Sequence, residues 1–265
     1  MSTFTELWDL HWRWRHGIFL RDIISGRTVD VYRGVPHDYY SRFAVPRVRE
    51  PSALDFREIA TDLPRDVFAA IHLLERHKSH GYYEYLARRH YRYHSTGSWL
   101  LYDGPFTPST TPPHPQIVSL TRETFADYEL LCAALDAEDT AHPYASVPYY
   151  TAERRLIDGS HPAIRMELFG MYDERTLVSA GGLIYSHPDN FAWIPTAGTR
   201  KPYRDAGEYQ YRCPLLRYRL KRALDLGITR IYALSEFGSF LWSDLLAAGF
   251  KQVQEVRIFL NFSGE

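Results

Sequence analysis

The stretch LVSAGGLIYSHPDNFAWIPTAGT, Leu177 to Thr199, decides how the fold is read. Apolar and β-branched residues fill both of its ends. The short polar segment His187-Pro188-Asp189-Asn190 between them has the length and composition of a turn. The pattern predicts two adjacent antiparallel strands, residues 176–185 and 191–196, with the chain after Thr196 splaying away.

Upstream, residues 163–172 read as a further strand, joined to the next by a tight turn at Asp173, Glu174 and Arg175. Residues 116–120 read as a short strand. Thr121 is placed as a helix N-cap with Glu123 in the first turn. Phe125, Tyr128, Leu131, Cys132 and Leu135 then recur at helical spacing. A second short helix is expected over 151–157. Downstream, Pro214 is suited to the first position of a helix whose apolar stripe is Leu216, Leu220, Ala223 and Leu224, with Gly227 as its stop. Residues 229–234 read as a strand. Ser239 caps a helix that carries Phe240, Leu241, Leu245 and Leu246 and ends at Gly249. Val256, Ile258 and Leu260 alternate as a last strand. The order β-α-α-β-β-β-α-β-α-β gives an α/β (α+β) class: a mixed, mostly antiparallel sheet flanked by helices.

The proline-rich segment GPFTPSTTPPHP sets the organisation: residues 1–104 as an N-terminal α/β part, a linker over 105–115, and a C-terminal domain over 116–265. In the N-terminal part, residues 27–32 and 99–102 read as strands. Residues 65–77 have helical apolar spacing at Val67, Phe68, Ile71 and Leu74. No internal repeat shows in the sequence itself, so this part is read as an α/β extension or a decayed second copy of the C-terminal fold.

The chain has 265 residues, 45% of them hydrophobic and 24% charged, with net charge −1. This is a globular composition with no general affinity for polyanions. Its two cysteines, Cys132 and Cys213, support neither a disulfide framework nor a thiolate metal site. His90 and His94 stand four apart, but no third ligand completes a site, and no metal is expected. The first residues mix acids and aromatics where a signal peptide would be apolar, so a cytoplasmic protein without a membrane partner is expected. No nucleophile elbow, phosphate-binding P-loop or dinucleotide fingerprint occurs.

The C-terminal part resembles the GNAT acyltransferase superfamily. IVSLTRETFADYELLCAAL resembles its opening strand and helix, the Leu177–Thr199 stretch its central strand pair, and LLAAGFKQV its closing helix and strand. The resemblance implies an N-acyltransferase with acyl-CoA as donor and a small-molecule amine as acceptor. It implies that the backbone of Trp193, Thr196, Ala197, Gly198 and Thr199 pairs with the donor's pantetheine arm. Arg204 and Gly207 match the superfamily's pyrophosphate loop. Tyr209 stands where that loop has Gly or Ala, and Glu208 beside it is acidic. Arg200, Lys201 and Arg212 offer further phosphate contacts. Glu167 is the implied base, with Tyr172, Ser235 and Glu236 as lesser candidates. Leu245 stands where many members carry an acidic Tyr.

HWRWRHG, from His11, and YYEYLARRHYRYH, from Tyr82, interleave aromatics with basic residues. Such surfaces suit unpaired bases and phosphates, and they also suit ordinary amphipathic helices. With the altered loop, they leave a second reading open: an aminoacyl-tRNA-dependent aminoacyltransferase of natural-product biosynthesis, with tRNA bound at Arg88, Arg89 and Arg92. A third reading is a catalytically silent GNAT-like binding module.

Overall fold

The computed structural model describes residues 4–18, 22–34, 42–62, 70–77, 81–102, 117–138, 147–159, 161–195, 198–205 and 208–261. The expected linker and, from the expected donor segment, Thr196, Ala197 and Gly207 lie outside the described residues. No helix among the described residues is long and apolar enough to cross a membrane. The chain divides into two compact units. Residues 1–99 and 253–265 form unit 1, and residues 100–252 form unit 2.

The first half of the chain supplies α1 (Phe4–Ile18), β1 (Asp22–Ser25), β2 (Val29–Arg33), β3 (Phe43–Pro46), α2 (Phe56–Asp62), β4 (Ala70–Leu74), α3 (Tyr82–Ala87) and β5 (Tyr91–Tyr102). In α1 the HWRWR motif turns its aromatics inward: Trp8, Trp12 and Trp14 are buried while Arg13 is exposed. Trp8 packs against Phe4, Trp12, Tyr32, Phe43 and Trp99 and donates its N–H to the Tyr32 hydroxyl at 3.1 Å. The helix expected over 65–77 is corrected, because Ala70–Leu74 is a strand with every residue buried. A strand covered on both faces is a continuous apolar run, and periodicity alone cannot distinguish that from a buried helix.

The second half supplies β6 (Ile117–Leu120), α4 (Phe125–Glu138), α5 (Val147–Ile157), β7 (Arg165–Asp173), β8 (Thr176–Ser186), β9 (Phe191–Ile194), β10 (Gly198–Thr199), α6 (Lys201–Asp205), α7 (Glu208–Asp225), β11 (Arg230–Glu236), α8 (Phe240–Ala247) and β12 (Phe250–Asn261). The expected hairpins form: β7 pairs with β8 and β8 with β9, all antiparallel, and β9 then runs parallel to β11. The 173–175 turn works because Glu174 takes a positive φ of 52°. Ser239 caps α8, accepting from Trp242 N at 3.2 Å, and Gly249 ends that turn at φ 97°.

Three helix starts differ from expectation, and one of them is α5, which begins at Val147 rather than at 151. Thr121 bonds within its own turn, to Glu123 and Thr124, and α4 begins at Phe125. Pro214 lies inside α7, which begins at Glu208. Proline costs an interior helix one backbone bond, and the long apolar face of α7 outweighs that loss. Leu215, Leu216, Leu220 and Ala223 pack there against Phe169, Leu183 and Tyr185 in the core of unit 2.

Unit 1 repeats the plan of unit 2. β1, β2 and β3 form an antiparallel meander, and β3 then runs parallel to β4 across α2. The N-terminal part therefore has the strand plan of a decayed second copy rather than of an unrelated extension. The strand beside β4 is the later part of β12, where Val256 pairs with Leu74 and Leu260 with Ala70. Conversely, residues 100–102 at the end of β5 belong to unit 2, where β5 neighbours β11. The alternation of Val256, Ile258 and Leu260 identifies a strand but carries no information about its partner.

Candidate functional site

In unit 2 the strand following Asn190 does two things in turn. From Phe191 to Ile194 it is paired on both edges, to Ser186–Ile184 of β8 and to Arg230–Ala233 of β11. The parallel ladder stops at the Ile194–Ala233 pair, while β11 continues to Glu236. The next residue is Pro195, which has no N–H to give. The chain rejoins β8 at Gly198–Ala180 and Thr199–Ser179, where the two hydroxyls meet at 2.8 Å. Between the Ile184–Trp193 pair and the Gly198–Ala180 pair the register changes by one residue, as at a bulge. The splay is away from β11 only. The expected departure from β8 is corrected, since β10 keeps that edge paired.

Arg219 of α7 fills the bulge. Its Nη1 donates to the carbonyls of Pro195 at 2.7 Å and Gly182 at 3.1 Å, and its Nε to Leu215 O at 3.3 Å. The side chain is fully buried, and burial lowers its pKa from 12.5 to about 9. Gly182 and Gly198 allow this packing. A Cβ on Gly182 would meet Met166 Cε at 2.6 Å, and one on Gly198 would run into Leu135 of α4.

The two helices lie on opposite faces of the sheet. Gly198 faces Leu135 of α4 and shares its face with Ala180, while α7 packs on Leu183, an odd number of positions away on β8. Tyr128 of α4 nevertheless acts electrostatically on Arg219.

A second, half-buried polar group begins there. The Tyr128 hydroxyl donates to Glu153 Oε2 of α5 at 2.9 Å. Burial, only partly offset by that hydrogen bond, raises the Glu153 carboxyl from 4.5 to about 7. Burial and then Glu153 push Tyr128 well above its usual value and Cys132, beside it, up to about 12. A carboxyl that is half neutral near pH 7 is poised to take a proton. Sequence reading missed Glu153, Tyr128 and Arg219, yet each carries a signal. Arg219 falls three residues after Leu216, inside the apolar stripe of α7, and Glu153 falls three before the buried Leu156. A charge on the buried face of a helix needs a reason.

The residues singled out from sequence are placed as follows. Glu167 accepts from Arg222 Nε at 2.7 Å and Nη2 at 2.8 Å and from Tyr185 at 3.2 Å, so both its oxygens are engaged in tying β7 to α7. The Tyr172 hydroxyl donates to Asp127 at 2.6 Å. The Ser235 hydroxyl pairs at 2.9 Å with Ser239, the cap of α8. Trp193 lies in β9, stacked on Tyr232 with ring centroids 6.3 Å apart. Arg200 N bonds Val178 O at 2.9 Å and continues β10. Arg204 is held by the Thr199 carbonyl and by Glu138 at 3.3 Å, and Glu138 also takes Lys201 N at 2.8 Å. Of the expected loop, Lys201–Asp205 is the short helix α6, and α7 begins at Glu208. Leu245 is fully buried core. Phe237, just past the end of β11, and Phe240, the first residue of α8, are exposed.

The equivalent gap in unit 1 is filled by the chain itself. β3 and β4 pair only at Phe43–Ala70 and Ala44–Ile71. Beyond that, Arg76 donates to Pro46 O at 3.3 Å, Tyr82 to Val48 O at 2.6 Å, and Leu74 N to His77 Nδ1 at 3.0 Å. Arg88, Arg89 and Arg92 are exposed, but Arg89 stacks 3.8 Å over the Tyr85 ring. His90, in a turn at φ 65°, and His94, in β5, do not share a helix face.

No protein-family model matches the sequence. No curated protein matches it either. Solved structures match over nearly the whole chain. A functionally unknown conserved protein from Staphylococcus epidermidis superposes with a TM-score of 0.63 at 11% identity, covering 92% of this chain and 94% of its own. A GCN5-related N-acetyltransferase from Kribbella flavida gives 0.57 at 14%, covering 92% and 90%. A tandem GNAT protein from the clavulanic acid biosynthesis pathway gives 0.57 at 12%, covering 89% and 78%. At such identities the likeness speaks for the backbone alone, and on that ground the chain has the GNAT fold.

Proposed function

We propose that unit 2 is an N-acyltransferase that takes an acyl group from acyl-CoA and passes it to the amine of a small molecule. The observation that carries this reading is the end of the β9–β11 ladder at Ile194–Ala233, three residues before β11 itself ends at Glu236, with Arg219 bonded to the Pro195 carbonyl beside it. Backbone groups left without a strand partner suit an extended amide-bearing arm such as pantetheine. The N-terminus of α7 suits a pyrophosphate. Phe237 and Phe240 offer an apolar rim.

In the reaction, the amine nitrogen attacks the thioester carbon, an amide forms and the CoA thiolate leaves. The amine's proton goes to the Glu153 carboxylate, which Tyr128 holds in place. Glu153 suits this role better than Glu167, whose oxygens are occupied by Arg222 and Tyr185. The gap in unit 1 is closed by Arg76, His77 and Tyr82, so one donor per chain is expected.

Calorimetry with acetyl-CoA tests the donor, with bulk tRNA titrated separately. Saturable binding of one acetyl-CoA supports the reading. Salt-sensitive tRNA binding without acetyl-CoA binding would favour the aminoacyl-tRNA donor, and binding of neither would favour a silent module.

A further inference from the structure

Helix α4 is apolar on both of its faces. Toward the sheet, Phe125, Leu131 and Cys132 are buried and Leu135 lies against Gly198. The opposite face carries Ala126, Leu130, Ala133 and Ala137, all of them exposed, Leu130 to 70%. At about 3.6 residues per turn these four fall within about 60° of one another around the axis. A surface helix ordinarily sets charged or polar residues there. Single exposed apolar side chains need no explanation, but four in register form a patch.

The order of the four residues indicates what covers them. Their intervals of four, three and four read the same in both directions. When two copies of α4 pack antiparallel about a two-fold axis between Leu131 and Cys132, Leu130 of each stands opposite Ala133 of the other. Ala126 then stands opposite Ala137. A large side chain meets a small one at each central contact, as interdigitating faces require. Such a contact is closed and self-complementary. The acids beside the stripe do not oppose it. Asp127 accepts from the Tyr172 hydroxyl at 2.6 Å, Glu129 faces Arg154 at 3.7 Å, and Glu138 faces Arg204 at 3.3 Å. A basic partner would find these carboxylates already engaged, whereas an apolar copy of the same face needs none of them. We propose that a second copy of this chain covers the Leu130 face of α4, as an antiparallel, two-fold symmetric dimer. The stripe covers about 17 Å of helix. Two such helices bury well below the roughly 1,600 Å² of a standard interface, so the dimer is weak. This contact is independent of the acyltransferase reading.

Sedimentation equilibrium of the full chain across concentration tests it. A monomer–dimer equilibrium with a Kd on the order of 10 µM is expected. Leu130→Glu and, as a second variant, Ala133→Arg should each raise that Kd about tenfold or more while the far-UV spectrum stays that of the wild type. The antiparallel register is read by cysteine pairing. Ala126→Cys chains mixed with Ala137→Cys chains should oxidise to linked dimers, and neither variant alone should do so beyond the wild type. A chain that stays monomeric up to about 1 mM overturns the proposal. So does a dimer that both charged variants, folded, leave intact, or one in which Ala126→Cys links to itself rather than to Ala137→Cys.

Discussion

The guanidinium of Arg219 donates to the carbonyl of Pro195 at 2.7 Å, at the residue where the central strand of unit 2 parts from β11. A side chain rooted on one face of the sheet thereby satisfies backbone that the ladder has abandoned. It also keeps the bulge open.

Arg219→Met should therefore be destabilising. Removing the guanidinium leaves the Pro195 and Gly182 carbonyls buried without a donor, although it also removes a buried charge. A net loss of about 1–3 kcal/mol is expected, read from the urea midpoint. Acetyl-CoA affinity should fall with it, because the bulge lies at the end of the β9–β11 ladder. Wild-type stability together with wild-type affinity would show that Arg219 holds nothing.

Glu153 gives stability a pH dependence of known sign. Its carboxyl titrates near 4.5 when unfolded and at about 7 when folded. Between those values the folded state binds more protons, so raising the pH favours unfolding. The stabilisation is complete below about 4.5 and lost as pH passes through about 7. Glu153→Gln should flatten this slope and exceed the wild type above neutrality by about 1–3 kcal/mol. Thermal melts across that range would show it.

Catalysis should separate the two glutamates. Glu153→Gln is expected to lower kcat about a hundredfold or more while leaving acetyl-CoA binding unchanged. The wild-type pH–rate profile should carry an inflection near 7 that the variant lacks. Glu167→Gln should stay within a fewfold of wild-type kcat and cost about 1 kcal/mol of stability, since its pair with Arg222 is partly exposed. The reverse pattern would return the base to Glu167.

The donor stoichiometry is a separate prediction. Acetyl-CoA should saturate at one per chain, because Arg76, His77 and Tyr82 occupy the unit 1 gap. Two equivalent sites by calorimetry would mean that those side chains move aside.

Much of unit 2 was legible in the sequence because its signals are local. The strands at Thr176–Ser186 and Phe191–Ile194, the Glu174 turn, the Ser239 cap and the Gly249 stop rest on alternation, on φ preferences and on a hydroxyl near free N–H groups. Each of these is fixed by neighbours within a few residues. The sequence also told that Val256, Ile258 and Leu260 form a strand. Tertiary structure alone decided the rest. It pairs β12 with β4 of unit 1, makes the apolar run at Ala70 a strand rather than a helix, and fills the bulge with Arg219. It also engages Glu167 with Arg222 and sets the half-buried Glu153 against Tyr128. The reason is physical. Strand partners and carboxyl environments are set by residues tens of positions away, and burial, which no local pattern encodes, determines whether a glutamate is a surface charge or a proton acceptor.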